Sequence, residues 1–152
     1  MDKPLIGRKP TLREYVRYRN GVPLGRAGSL LNMLYRSFGA VSFPEFWQFW
    51  NPIWGYYLGY FIYTPLKKRL SSATALLITF AISGALHDLA VMAVKRKPVF
   101  FFTPWFFLMG LTVILTKRLN ITYGSLTWSA RASINTLLVA GNLVLAMLIQ
   151  KV

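Results

Sequence analysis

The chain of 152 residues contains no cysteine. Disulfides, a thiolate nucleophile and a palmitoyl anchor are therefore excluded. Acidic residues are nearly as scarce: Asp2, Glu14, Glu45 and Asp88 stand against 18 Lys and Arg. One histidine, His87, is present. With no thiol and a single imidazole, the sequence has no cluster at metal-ligand spacing. It has no Gly-x-Ser-x-Gly elbow, no Walker loop, no internal repeat and no low-complexity tract. A hydrolase triad would have to come from Ser83, His87 and Asp88 on one helix, which is the wrong geometry. The first 25 residues lack an apolar core of signal-peptide type, so membrane targeting is expected from later segments.

Charge is also sparse: 14% of residues are charged, where a soluble domain carries about 25%. What replaces it is apolar, with 55% hydrophobic and 16% aromatic residues. These residues fall into four blocks, 46–66, 72–94, 99–116 and 134–149, and blocks of roughly 20 are what a bilayer requires. The expected fold is all-α: a polytopic membrane helix bundle of about four transmembrane helices, with amphipathic or interfacial helices at the N-terminus. Two regions are expected, a basic arm over residues 1–44 and a membrane-embedded core over 45–152. In the arm, Pro4, Pro10, Gly21 and Pro23 leave room for a short helix from Leu12 to Asn20. Residues 27–39 suit an amphipathic helix lying in the interface.

The net charge of +14 admits two readings. Nucleic-acid binding would use Lys and Arg to neutralise phosphates. The cations, however, sit between apolar blocks, as membrane topology demands. No nucleic-acid partner is expected; the partners are membrane lipids. With four spans, the arm, the loop between spans two and three, and the C-terminus share one side and carry twelve Lys or Arg. Six fall on the other side. The richer side belongs inside, which makes the N-terminus cytoplasmic and the protein multi-pass. A re-entrant first block would change the count.

Polar groups at membrane depth are costly and face a cavity or a partner. The second block holds His87, with Ser83 and Gly84 four and three residues earlier on the same helix face. The Ser83 hydroxyl is expected to reach His87, and Gly84 to clear space beside the ring. Asp88 is rotated about 100° away and suits a structural role, pairing with a cation or capping a helix end. The bland reading of His87 is a hydrogen-bonded packing residue between helices. In the first block, Asn51-Pro52 reads as a helix start, with Asn as N-cap and Pro in the first turn. Gly55 and Gly59 form a weak close-packing signal. Trp47, Trp50 and the neighbouring tyrosines suit an interfacial belt or packing, and alternatively line an acyl-chain pocket. Spans one and two are joined by a short loop and are therefore antiparallel. That pairing brings Asn51 and His87 to the same half of the membrane, where an amide and an imidazole in an apolar space make an acid–base site.

Two segments resemble the membrane-bound O-acyltransferase family. "EFWQFWNP", residues 45–52, resembles its F-W-x-x-W-N motif, and "SGALHD", residues 83–88, its second motif, a helix carrying histidine after a small Ser-Gly-like pair. Asn51 and His87 are 36 positions apart, close to the family's interval. The resemblance covers roughly residues 40–120 and corresponds to the family's C-terminal, motif-bearing part; members usually carry more spans and several hundred residues. It implies transfer of an acyl group from a thioester, acyl-CoA as co-substrate, to a hydroxyl acceptor, with no cofactor and no metal. Carried over by motif, His87 is the general base and Asn51 its polar helper, with Trp47, Trp50, Ser83 and Gly84 around the substrates. A chain matching only part of the pattern is a reduced core, an inactive remnant, or a unit that assembles with a second copy or a partner membrane subunit. The competing reading is a non-catalytic membrane subunit or scaffold whose Asn51 and His87 only fix helix packing.

Overall fold

A computed structural model describes residues 9–150. The first eight residues of the expected arm, with Lys3 and Arg8, and also Lys151, lie outside that range. Among the described residues the chain is all-helical, without a strand. The helices are α1 (Leu12–Asn20), α2 (Ser29–Phe38), α3 (Phe43–Phe49), α4 (Pro52–Leu58), a π-helical turn (Gly59–Tyr63), α5 (Thr64–Lys67), α6 (Ser72–Lys95), α7 (Phe102–Arg118) and α8 (Trp128–Ile149). They group into two compact units. The first takes the described residues up to Tyr57 with Thr122–Asn135; the second takes Leu58–Ile121 and the residues from Thr136 on.

In the first unit, α1 has the bounds that the sequence implies because its ends are chemically marked. Thr11 Oγ1 accepts from the Glu14 N–H at 3.4 Å, and Glu14 Oε2 accepts from the Thr11 N–H at 2.8 Å, a reciprocal capping box. Gly21 stops the helix in the left-handed region at φ 79°. The amide of Asn20, 2% exposed, donates to the Ser29 carbonyl and hydroxyl, and Asn32 Nδ2 donates to the Asn20 carbonyl; together they fasten α1 to α2. Arg19 Nη1 donates to Gln48 Oε1 at 2.5 Å, tying α1 to α3. Asn135, the last residue this unit takes from α8, is fully buried. Its Nδ2 donates to the Phe38 and Ala40 carbonyls, and its Oδ1 accepts from Tyr123 Oη at 2.5 Å. Burial, with Glu45 nearby, pushes the Tyr123 hydroxyl up to about 12.

In the second unit, α6 and α7 form the most extensive helix pair, an antiparallel hairpin. A Cβ at Gly84 would lie 2.6 Å from the Phe102 carbonyl oxygen and from Thr103 Cα. One at Gly110 would lie 3.1 Å from Phe80 Cβ. The two glycines thus let the helices approach closely. The hairpin is offset, and α7 starts beside Asp88, two turns short of the end of α6 at Lys95. Thr112 Oγ1 donates to Asn142 Oδ1 at 3.0 Å and Trp105 Nε1 to the Val139 carbonyl at 3.3 Å, joining α7 to α8.

Two helices, α6 and α8, are long and apolar enough to cross a membrane, where the sequence suggests four. Only 22% and 17% of their apolar windows are buried within the chain. A core helix of a soluble protein would be mostly buried; faces carrying Leu89, Leu137, Val144 and Leu148 suit lipid. The block expected as the third span, 99–116, folds as α7, whose 17 residues leave it outside the two candidate spans. The expected first span, 46–66, breaks at Trp50 and Asn51, between α3 and a helical run of seven, five and four residues from Pro52 to Lys67. The π turn in that run has a local cause. Pro65 has no N–H and its ring crowds the carbonyl four residues earlier, so the ladder widens. The Thr64 N–H and hydroxyl both reach the Gly59 carbonyl, the hydroxyl at 2.7 Å. The Gly55 and Gly59 close-packing signal marks no tight helix contact among the described residues: a Cβ would meet only Tyr15 Oη at 3.8 Å in the one case and nothing within 4 Å in the other.

Candidate functional site

His87 lies two thirds of the way along α6, half-buried, against the first turns of α7. Its Nδ1 is 2.7 Å from the Ser83 backbone carbonyl oxygen. A carbonyl can only accept, so Nδ1 carries the hydrogen and, in the neutral ring, Nε2 holds the lone pair. Ser83, expected beside His87 one turn back on the same face, meets the ring through its backbone carbonyl. The ring packs on two aromatic side chains of α7, with centroids 5.6 Å from Phe102 and 4.9 Å from Phe106. Gly84 is next to this site, and the atoms nearest the space it clears are backbone atoms of Phe102 and Thr103.

Asp88, 3% exposed, explains why α7 starts where it does. Phe101, at the N-cap position of α7, has no side-chain oxygen to cap with. Asp88 takes that place from the neighbouring helix. Its Oδ1 accepts from the Phe101 and Phe102 N–H at 2.9 and 2.8 Å. Its Oδ2 accepts from the Thr103 N–H at 2.9 Å and from the Thr103 hydroxyl at 2.7 Å. Four donors on one carboxylate satisfy the orphan N–H groups of a helix start, and the negative charge meets the positive end of the α7 dipole. The capping role read from the sequence holds, on a helix other than its own.

In the first unit, Asn51 is the corner between α3 and α4 and is exposed. Its Oδ1 accepts from the Trp54 N–H at 3.2 Å, and Pro52 opens α4, so the pair is the helix start that the sequence suggests. Asn51 adopts φ 40°, a left-handed conformation that Asn tolerates better than most residues. Trp47 and Trp50 join an aromatic cluster. Trp50 stacks on Phe46 at 5.5 Å and meets Phe38 edge-on, and Trp47 meets Phe43 and Phe46 edge-on. Of the residues singled out from sequence, Trp47, Trp50 and Asn51 thus share the corner of the first unit, and Ser83, Gly84 and His87 share one face of α6 in the second. The residues that the sequence reading missed are Phe102 and Phe106, hidden in a run of aromatics with no periodic mark.

A chain whose described residues are all-helical, with two helices long and apolar enough to cross a membrane and a histidine part-way along one of them, fits the class of membrane proteins. Comparison with known sequences makes this specific. The profile of the membrane-bound O-acyltransferase family matches residues 19–134, reaching into the arm and past the two motifs on both sides. The chain belongs to the membrane-bound O-acyltransferase family. No curated protein matches it, and no solved structure does.

Proposed function

We propose that this chain carries an O-acyltransfer site that uses acyl-CoA as donor and a hydroxyl compound as acceptor. The observation that carries the proposal is the Nδ1 bond of His87 to the Ser83 carbonyl, inside the family-matched segment, because it leaves the lone pair on Nε2. In the proposed reaction Nε2 takes the proton of the acceptor hydroxyl. The acceptor oxygen attacks the thioester carbonyl, the carbon–sulfur bond breaks, and the imidazolium returns its proton to the departing thiolate. The Asn51 amide donates to the carbonyl oxygen as charge develops there. Trp47, Trp50, Ser83 and Gly84 border the substrates. Residues 1–44 lie on the membrane surface as the basic arm and 45–152 form the embedded core. Four segments cross the bilayer with the N-terminus cytoplasmic, and a second copy or a partner membrane subunit completes the enclosure.

The test is a membrane preparation incubated with labelled acyl-CoA and mixed lipid and sugar alcohols, comparing wild type, His87→Ala and Asn51→Asp. Loss of a general base costs on the order of 10² to 10⁴ in rate. His87→Ala should lose that much while inserting normally. Asn51→Asp keeps the cap acceptor for Trp54 but presents a carboxylate to the carbonyl, and should also lose transfer. Undiminished turnover by His87→Ala removes the catalytic reading. The scaffold reading is favoured if neither wild type nor variant turns over acyl-CoA and His87→Ala weakens helix association instead.

A further inference from the structure

We propose that Asp88 is the positioning residue of His87: by capping α7 from α6, it holds Phe102 and Phe106 against the imidazole and so keeps the ring on the Ser83 carbonyl. This deepens the acyl-transfer reading and rests on it for its catalytic consequence. The chain of contacts is short. Asp88 grips three consecutive backbone N–H groups, of Phe101, Phe102 and Thr103. Phe102, in the middle of that grip, touches the His87 ring, and Phe106, one turn further along α7, touches it more closely. Gly84 lets the same backbone approach to a distance that no side chain would allow. The α7 start is therefore clamped on both sides, by a carboxylate at 88 and a missing side chain at 84. His87, one position from the first and three from the second, lies between them on the sequence.

The consequence is tautomeric. The Nδ1 bond to the residue-83 carbonyl is local to α6 and exists in one ring orientation. Outside that orientation the two neutral tautomers compete, and Nε2 loses its claim on the lone pair. Phe102 and Phe106 lie against the ring, and on this proposal they bar its rotation until α7 is released from Asp88.

The lone histidine makes the test direct, since a histidine-labelled sample gives a single imidazole. Nitrogen NMR of the full chain in detergent, at a pH where the ring is neutral, separates the protonated nitrogen from the one with the lone pair. Wild type should show Nδ1 protonated. Asp88→Ala should show averaging between tautomers, with kcat lower on the order of a hundredfold and KM little changed. Asp88→Asn should keep the wild-type spectrum and most of the activity, because its Oδ1 still accepts from Phe101 and Phe102. If Asp88→Ala does not accumulate, Thr103→Val removes one donor to the carboxylate and should show partial averaging. An unchanged imidazole spectrum in Asp88→Ala, or in Thr103→Val where that variant stands in, overturns the proposal. The two readings fail separately: a tautomer shift in a chain with no transferase activity faults acyl transfer alone, whereas lost activity without a tautomer shift faults positioning alone.

Discussion

Asn135 has no exposed surface, yet its amide bonds to Phe38, Ala40 and Tyr123, groups far away in sequence or across a loop. Amide side chains recur as joints in this chain: Asn20 between α1 and α2, Asn51 at the α3–α4 corner, Asn142 between α7 and α8. An amide both donates and accepts, so it can close a joint without adding charge in a chain that has few counter-ions. The Tyr123–Asn135 joint has a pH signature. The folded chain holds the Tyr123 proton up to about 12, whereas an unfolded tyrosine releases it near 10. The folded pKa is the higher one, so this contribution is fully present below pH 10 and is lost as pH rises from 10 towards 12. Tyr123→Phe leaves Asn135 Oδ1 buried without a donor, a loss of about 1–3 kcal/mol at neutral pH. Unfolding midpoints of the two proteins in detergent should therefore differ most below pH 10 and draw together above it. A gap that stays constant through pH 12 would mean that Tyr123 titrates like any exposed tyrosine.

Elements were legible where their ends carry chemistry. Thr11, Glu14 and Gly21 bracket α1, and Ser71 with its acceptor bond from Thr74 opens α6. They were least legible where one residue acts from another element. Hydropathy reads residues 99–116 as one block, because nothing in a window average reveals that Asp88 draws the start of α7 down to Phe102. It also reads 46–66 as continuous, because Phe46, Trp47 and Trp50 are apolar whether they span a bilayer or pack on one another at a corner. The candidate histidine and its neighbours on α6 could be found by spacing; Phe102 and Phe106, which face it, depend on the hairpin offset and could not. That offset predicts an ordering of glycine variants. Gly84→Ala sets a methyl group against backbone atoms, which cannot step aside, and overpacking of this kind costs about 1–3 kcal/mol. Gly110→Ala meets the Phe80 side chain at 3.1 Å, a milder overlap that a shift of a few tenths of an ångström relieves. Thermal midpoints in detergent should fall clearly for Gly84→Ala and by less for Gly110→Ala. The reverse order would show that α7 is not seated on Gly84.

At the scale of the whole molecule, the charges and the hairpin pull against each other. The antiparallel α6–α7 pair puts Lys67, Lys68, Arg69, Lys117 and Arg118 at one end and Lys95, Arg96 and Lys97 at the other. Judged by the hairpin alone, the end with five cations belongs inside. The whole chain favours the opposite, twelve against six, but only if the run from Pro52 to Lys67 crosses the bilayer and carries the arm to the side of Lys97. If that run turns back instead, the arm joins Lys68 and the balance becomes fourteen against four, with Lys97 outside. The break at Asn51 and the π turn make this run the point on which topology depends. A chain without cysteine decides it cleanly, since every introduced thiol is the only one. Intact cells expressing Lys68→Cys, Lys97→Cys or Arg118→Cys are treated with a membrane-impermeant maleimide. Four crossings with a cytoplasmic N-terminus predict that Lys68→Cys and Arg118→Cys are labelled from outside and that Lys97→Cys reacts only after the membrane is opened. The inverse pattern would mean that the aromatic first block enters and leaves on one face, and that His87, two turns from Lys95, opens toward the outer side of the membrane.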